Sequence, residues 1–558
     1  MDRRFAFAIL LSFLVLMVFQ VWLAPKHPQA PEPGAADSLA AAAAAADSDS
    51  ARAAVAAAGE DRRPEARRTR PTEPMRMQSP ALVSPVVQEE TVTLGSTLFK
   101  ATFTNRGGRL LRYELNTYDK PSGGPVQMVG STPELGLTLE TEQGLVPLDD
   151  VLFSTRQATV DGRRSVIFEA GMENGLRVEK IYRLPDDGYD IDLQVRIQGA
   201  GDVSDYLLTW RDGIPPSEGD HKQFRSGAGA LALVGKDVTR KTPGSFKNEH
   251  EKTVEGNVQW AGVRTKYFMS AIVPPSGTSS RVVLTGSAEA HVNGVEVAMP
   301  ILQGTADDTF LLYVGPLEYN RLKALGHGLE NGVELSYKFI RPISKLLLVV
   351  MVWMHGFLPN YGIIIIVISA LTKILFYPLT KSSIRSMKAM QRLQPEMQAI
   401  RDKYKSDPQR MQKETMELYK THKVNPLGGC LPMILQMPVF FALYAVLANS
   451  ITMRQSGFVW WITDLSIPDT VGMVGGFAIH VLPVIMFFTT VAQQKVTPVT
   501  DPRQKMMGYM MPVVMLFIFY SFPAGLNLYW TVNNVLTVAQ QWNIHREPQA
   551  ALPAAGKA

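Results

Sequence analysis

The sequence predicts a multi-domain membrane protein, an α-helical bundle of six transmembrane spans joined to a large extracytoplasmic antiparallel β-sandwich domain. Three observations carry that prediction. Long apolar runs succeed one another from about Tyr337, residues 91–325 alternate apolar and polar side chains between turn dipeptides, and Lys and Arg gather in short loops beside the apolar runs. At 558 residues, with 46% hydrophobic and 19% charged side chains, the chain exceeds one domain. Its net charge of +5 sits mostly in those loops and reads as membrane orientation, not as nucleic-acid readout. The single cysteine, Cys430, excludes an internal disulfide.

Taken in order, residues 1–23 hold the first span. Phe5 to Leu23 is apolar behind Arg3 and Arg4, is longer than a usual signal-peptide core, and has bulky Trp22 where a cleavage site needs a small residue. It reads as a retained anchor with a cytoplasmic amino terminus. Residues 24–90 are rich in Ala and Pro, lack any apolar period and read as a disordered linker. From Thr91 the period becomes two. Tyr189, Ile191, Leu193, Val195 and Ile197 alternate with Asp190, Asp192, Gln194 and Arg196, as in a half-buried antiparallel strand. Asp161-Gly162, Asn174-Gly175, Asp187-Gly188 and Asn293-Gly294 are expected to separate strands of a β-sandwich over 91–325. That domain holds no clustered acid/base pair and no metal-ligand spacing; His221, His250 and His291 are far apart.

Residues 337–358 suit an amphipathic helix lying in the membrane interface, since a span there would leave almost no loop before the next at Tyr361. The core, 360–545, follows. Its apolar runs are Tyr361–Thr380, Cys430–Leu447, Phe477–Ala492, Met507–Phe522 and Ala524–Gln541, the last two forming a tight hairpin at Pro523. The intervening segment 381–425 is strongly basic, which places it in the cytoplasm. There it reads as a helical hairpin, kinked or restarted at Pro395 and broken before Asp407-Pro408, a cap and first-turn proline. Loop 449–474 has only Arg454 against Asp464 and Asp469 and belongs outside; the short tail 546–558 ends inside.

Within the spans one full charge stands out, Lys373, which costs a few kcal/mol in hydrocarbon unless water or a partner offsets it. Ser369, Lys373 and Tyr377 fall on one face of an unbroken helix at i, i+4, i+8. Lys373, Gln436 and Asn534 share a depth of about 10 Å from the cytoplasmic boundary at about 1.5 Å per residue. Asn527, Thr531, Asn534 and Gln541 form a stripe on the last span. Two readings stand for each: Lys373 either faces a cytoplasm-open hydrophilic pocket or snorkels to headgroups, and the Asn/Gln/Thr set either lines that pocket or bonds helix to helix. The abundant Met residues are core filler or an adaptable apolar surface.

The stretches YPLTKSSIRSMKAMQRLQPEM, LYKTHKVNPLGGCLPMILQMPVFFALYAVL and FPAGLNLYWTVNN resemble the YidC/Oxa/Alb family of membrane protein insertases, and the anchored extracytoplasmic domain resembles its Gram-negative YidC branch. The resemblance covers about 340–545 by motif and the β-domain by position and size. It implies an insertase and chaperone of the bacterial inner membrane, no enzymatic activity and no cofactor. It further implies nascent membrane proteins as clients, the Sec translocon as partner, and ribosome and signal-recognition components at the cytoplasmic hairpin. The family's groove cation, usually arginine, falls on Lys373. A groove of Lys373, Gln436, Asn527, Thr531 and Asn534 and an apolar slide of Met437, Phe440, Met511 and Met515 follow from that likeness. No Walker-type phosphate loop occurs, in keeping with transfer driven by apolar burial. Two other classes remain open at this point, a secondary transporter and a membrane-anchored carbohydrate-binding protein.

Overall fold

The structure, a computed structural model, describes residues 88–172, 175–218, 227–247, 250–276, 281–334, 339–422, 424, 431–497 and 502–546. The expected anchor 1–23, nearly all of the linker, Asn174, His221, Cys430 and the tail after Arg546 lie outside them.

Among the described residues the β-rich part is built of three antiparallel sheets. Thr91–Gly95 (β1), Phe99–Thr104 (β2), Arg109–Asp119 (β3) and Pro125–Gln127 (β4) pair in chain order. A nine-stranded sheet runs Asp237–Lys241 (β13), Gly229–Val234 (β12), Val258–Arg264 (β15), Phe268–Val273 (β16), Thr305–Pro316 (β19), Asp190–Gln198 (β10), Arg177–Arg183 (β9), Arg163–Gly171 (β8) and Ser154–Val160 (β7). A six-stranded sheet runs Glu251–Glu255 (β14), Arg281–Ser287 (β17), Val292–Pro300 (β18), Val203–Trp210 (β11), Gly136–Thr141 (β5) and Gly144–Pro147 (β6). β12 and β15 pack on β17 and β18, so the two larger sheets share one core, with Trp210, Trp260, Tyr206 and Phe310 fully buried. The period-two pattern sets this: Ile191, Leu193, Val195 and Ile197 of β10 all point inward, while Asp190, Asp192 and Arg196 stay half-exposed.

One turn expectation fails. Asn293-Gly294 lies inside β18, where a side chain on Gly294 would meet the Trp210 and Arg211 carbonyls at 2.8 and 2.9 Å; the glycine serves close backbone approach. The chain turns instead just before it, at His291 with φ 55°. Asp161-Gly162, both at positive φ, does turn β7 into β8.

Lys180 on β9 is wholly buried. Its Nζ donates to the carbonyls of Leu135 at 2.6 Å and Gly107 at 3.2 Å, pinning two loops to the nine-stranded sheet. Burial pushes its ammonium down to about 7.

The helices among the described residues are Tyr319–Leu325 (α1), Arg341–His355 (α2), Tyr361–Leu375 (α3), Tyr377–Arg392 (α4), Gln394–Lys403 (α5), Pro408–Thr421 (α6), Leu431–Asn449 (α7), Val481–Val496 (α8), Pro502–Phe519 (α9) and Ala524–Arg546 (α10). Among the described residues no single helix is long and apolar enough to cross a membrane; α3 and α4 pass together but meet at a 62° bend. The expected unbroken span Tyr361–Thr380 is therefore corrected. Pro378 in the first turn of α4 has no N–H to give, and its ring would crowd the carbonyl of Ile374, so α3 stops at Leu375. The run expected from Phe477 begins as a strand, Phe477–His480, and turns helical only at Val481. In the basic segment, α5 restarts with Pro395 in its first turn, and Asp407 caps α6 by accepting from the Arg410 N–H at 3.0 Å. α2 buries Ser344, Leu348 and Met351 against its neighbours, chiefly α7, and leaves Leu346, Val349 and Trp353 exposed.

Loop 450–469 joins the β-domain to the helices. Arg454 is buried with Glu218 at 2.5 Å, gives a second bond to the Asp119 carbonyl at 2.6 Å and lies over the Phe268 ring. Tyr267 bonds Ser466 at 3.2 Å. The same loop accepts the first amides of α10, Ala524 N–H to Ile467 and Gly525 N–H to Leu465, and its Phe458 carbonyl accepts from Asn360, the cap of α3. Phe458 seats on Gly362, where a Cβ would stand 2.1 Å from its ring.

Arg454→Met leaves Glu218 charged, buried and unpaired, at a cost of about 3–5 kcal/mol. Hydrogen exchange of the Ser456–Leu465 amides is expected to accelerate, and Arg454→Met with Glu218→Gln to recover most of the protection. Lys180 gives a pH signature. Its folded pKa of about 7 lies below the ordinary 10.5, so the folded state sheds the proton first and stability rises with pH between those values. Relative to Lys180→Met, the wild-type β-domain should gain resistance to urea from pH 7 to 9, at up to about 1.4 kcal/mol per pH unit.

Candidate functional site

α10 is the helix on which the polar side chains of the bundle converge. Tyr529, Asn533 and Thr537 recur at i, i+4, i+8 and make one face. Toward α7, Gln436 Nε2 donates to Asn533 Oδ1 at 2.9 Å and to the Tyr529 hydroxyl at 3.3 Å. Toward α3, Lys373 Nζ donates to Thr537 Oγ1 at 2.8 Å. Asn533 and Thr537 are themselves held on the helix, through Asn533 Nδ2 to the Tyr529 carbonyl at 2.9 Å and Thr537 Oγ1 to the Asn533 carbonyl at 2.6 Å. Three helices thus meet at one hydrogen-bonded chain running from an ammonium to an amide. Lys373 lies two residues from the end of α3, at the bend, and is only partly buried. Beside it Leu371, Ile374 and Leu375 are exposed.

A second face of α10 points elsewhere. Asn534 Nδ2 donates to Thr490 Oγ1 at 2.9 Å and Thr489 Oγ1 at 3.1 Å, and Gln541 bonds Thr497 at 3.1 Å, all toward α8. Asn527 is fully buried at the other end and ties down the turn before α10, giving to the Phe519 and Phe522 carbonyls. Thr531 Oγ1 is buried with no hydrogen-bond partner among the described residues.

Of the residues singled out from sequence, the structure brings Lys373 and Gln436 to one network through α10. It does not bring Asn527 or Asn534 there. Tyr377, expected on the face of Ser369 and Lys373 of one unbroken helix, lies instead beyond the 62° bend as the first residue of α4, and Ser369 is buried with its hydroxyl on the Ile365 carbonyl at 2.7 Å. Asn533, Thr537 and Tyr529 were missed; their own i, i+4, i+8 repeat is the signal that could have found them. Among the slide residues, Met437 is exposed, and Met511 and Met515 are half-buried. Phe440 is not open: it is buried against Trp530 at 5.2 Å and Phe519 at 6.0 Å, ring to ring. The outward face of α9 is instead Tyr509, Val513 and Phe517.

The arrangement is suited to holding a polar or acidic chain segment beside an apolar surface. It offers one cation and amide donors at a helix junction, with exposed apolar faces next to them and no acid/base pair. Among the described residues no group of His, Cys, Asp and Glu could hold a metal.

Comparison with known proteins follows the same division of the chain. The family described as the 60Kd inner membrane protein matches residues 353–551, and that described as the YidC periplasmic domain matches residues 91–350. A protein of Pelodictyon phaeoclathratiforme named membrane protein insertase YidC is 35% identical over 492 residues, covering 83% of this chain and 84% of that one. One of the same name from Syntrophus aciditrophicus is 33% identical over 570 residues, covering 98% of this chain and 100% of that one. A crystal structure described as an active YidC insertase with its first transmembrane domain resolved aligns over 81% of this chain and 92% of that one, at 18% identity and a TM-score of 0.36.

Gln436→Leu strips Asn533 and Tyr529 of a shared donor inside the bundle. A loss of about 0.6–2 kcal/mol is expected, the range for hydrogen bonds between membrane helices. Gln436→Leu with Asn533→Leu should cost less than the two single changes together, read from unfolding midpoints in bicelles.

Proposed function

This chain belongs to the YidC family of membrane protein insertases, and from that premise we propose how it inserts its clients. It is a bacterial inner-membrane protein with a periplasmic domain, and its substrates are nascent membrane proteins. The transporter and carbohydrate-binding alternatives give way to that membership.

The hydrophilic segment of a client enters from the cytoplasm and is held near Lys373, with Gln436 and Asn533 offering neutral hydrogen bonds. The observation that carries this reading is the 2.8 Å bond of Lys373 to Thr537, because it fixes an ammonium at a helix junction beside exposed apolar residues. A charge held there by a neutral hydroxyl keeps its electrostatic attraction for an incoming carboxylate, which an ion pair would have cancelled. The client's apolar segment leaves along Met437 of α7 and the outward face of α9, Tyr509, Val513 and Phe517, with the half-buried Met511 and Met515 as adaptable packing behind it. Burial of a client helix of about 20 apolar residues in lipid supplies the free energy. Thr531 and Asn534 act as support for α10 in this reading, and Asn527 as a turn tie.

Six spans complete the arrangement: the amino-terminal run, α3 with the first turn of α4 (residues 361–380), and α7, α8, α9 and α10. Both termini are cytoplasmic and α2 lies in the periplasmic interface, its Trp353 face toward headgroups. The basic pair α5–α6 receives ribosomes and signal-recognition components, and the Sec translocon is the partner for larger clients.

The test is Lys373. Lys373→Arg keeps the charge and is expected to keep activity. Lys373→Ala and Lys373→Glu should lower in vivo insertion of a client with an acidic translocated segment by roughly tenfold, the effect of about 1.4 kcal/mol. A neutralised version of the same client should lose far less. Near-normal insertion of both clients by Lys373→Ala would leave Lys373 as a headgroup anchor and retire the groove.

A further inference from the structure

Loop 450–480 ends in a β-hairpin with an unusual surface. Thr470–Val474 (β20) pairs with Phe477–His480 (β21) through Gly475 and Gly476, whose φ of 56° and 83° are those of a tight hairpin turn. Residues 471–479 read VGMVGGFAI, without one charged side chain. Met473, Val474 and Phe477 are 66%, 65% and 79% exposed, so apolar groups stand out on both faces of the tip. In water such a tip is a site for aggregation. A solvated loop would carry polar residues there.

The hairpin's attachments fix where it lies. Tyr520, one residue past α9, donates to the Ala478 carbonyl, and its ring meets the His480 ring at 4.6 Å. Asp469 caps α8 by accepting from the Val481 and Leu482 amides at 3.0 and 2.7 Å. The hairpin therefore sits at the ends of α8 and α9. Their exposed residues Ile485, Phe488, Val513 and Phe517 face outward, and the hairpin continues that apolar surface. It is also on the periplasmic side, because Arg454 and Ser466 of the same loop are bonded to the β-domain.

Length gives the reason for such a continuation. α8 has 16 residues, and at about 1.5 Å each it is about 24 Å long against a hydrocarbon core of about 30 Å. We infer that the hairpin Thr470–His480 is a lipid anchor of the periplasmic leaflet, with Met473, Val474 and Phe477 set among the acyl-chain carbons next to the headgroups and the strands at headgroup level. The free edges of a two-stranded hairpin have backbone groups that only water or headgroups can satisfy, which rules out a deeper position. The inference rests on α8 and α9 crossing the bilayer as proposed above.

Labelling of the full chain tests it. In a Cys430→Ser background, bimane is attached at Phe477→Cys, at Phe517→Cys on the lipid face of α9, and at Lys405→Cys in the cytoplasmic segment. Each protein is reconstituted in phosphatidylethanolamine/phosphatidylglycerol vesicles. At Phe477→Cys, lipids with doxyl groups near the headgroup should remove most of the fluorescence, and iodide present on both faces should remove little. Quenching of Phe477→Cys by iodide as strong as at Lys405→Cys, with Phe517→Cys still quenched by doxyl lipid, would overturn the anchor alone. Loss of doxyl quenching at both positions would overturn the bilayer reading and the anchor with it. Iodide protection that disappears when vesicles carry one copy each would assign the hairpin to a second protein molecule instead of lipid.

Discussion

A side-chain amide or ammonium in the interior of a helix bundle has more hydrogen-bonding groups than its own helix can satisfy, and α10 carries or meets so many of them that its neighbours are placed by that need. Asn527 takes the turn behind Phe519, Asn533 takes α7 through Gln436, Asn534 takes α8 through Thr489 and Thr490, and Thr537 takes α3 through Lys373. Each bond contributes little by itself, since helices in lipid find alternative partners readily. Their directions contribute more. Two polar faces on one helix can both be satisfied only if α10 lies inside the bundle, and that position brings the cation of α3 and the amide of α7 to the same strip.

The bend between α3 and α4 follows from one proline and decides the surroundings of Lys373. Had the helix continued to Thr380, the ammonium would lie about 10 Å from the helix end at about 1.5 Å per residue, with two further turns of apolar side chain beyond it. Ending α3 at Leu375 instead puts Lys373 in its last turn, where the carbonyl end of the helix favours a cation. Leu371, Ile374 and Leu375 of the same helix are exposed, so a charge and an apolar surface lie within one turn of each other. An insertase needs that adjacency, because the polar and apolar parts of a client are contiguous in sequence.

What was legible in the sequence was what depends on local pattern. The strand alternation of β10, the cap at Asp407 and the restart at Pro395 need only their neighbours, and each is found where the pattern puts it. What was not legible depended on tertiary choice. Asn293-Gly294 has the composition of a turn, but the approach of the Trp210 carbonyl from β11 requires the glycine within a strand. Asn533 and Asn534 are adjacent and chemically identical, and which one reaches Gln436 is set by the rotation of α10 against α7. Phe440 has the composition of a sliding surface, yet Trp530 and Phe519 close over it. The Arg454–Glu218 pair joins residues 236 positions apart and has no signature short of coordinates.

That pair bears on how the bundle can open. Loop 450–469 is held to the β-domain by Arg454 and Tyr267, and in turn holds the first residues of α10 through the Leu465 and Ile467 carbonyls and the cap of α3 through Phe458. Gly362 and Gly525 let those parts approach closely: a Cβ on Gly525 would stand 3.1–3.2 Å from Leu447, Ile365 and the Leu465 carbonyl. The ends of α3 and α10 nearest the β-domain are therefore fixed by backbone bonds, a buried ion pair and close packing together. At their other ends the same two helices are joined by side-chain bonds such as Lys373 to Thr537, which in the proposed groove a client's own polar groups would replace one for one. Exchange of that kind costs little free energy, whereas parting the ends nearest the β-domain would expose a buried charge. Separation of α3 from α10 is thus easiest at the end away from the β-domain, which the proposed topology turns to the cytoplasm, the side from which a nascent chain arrives.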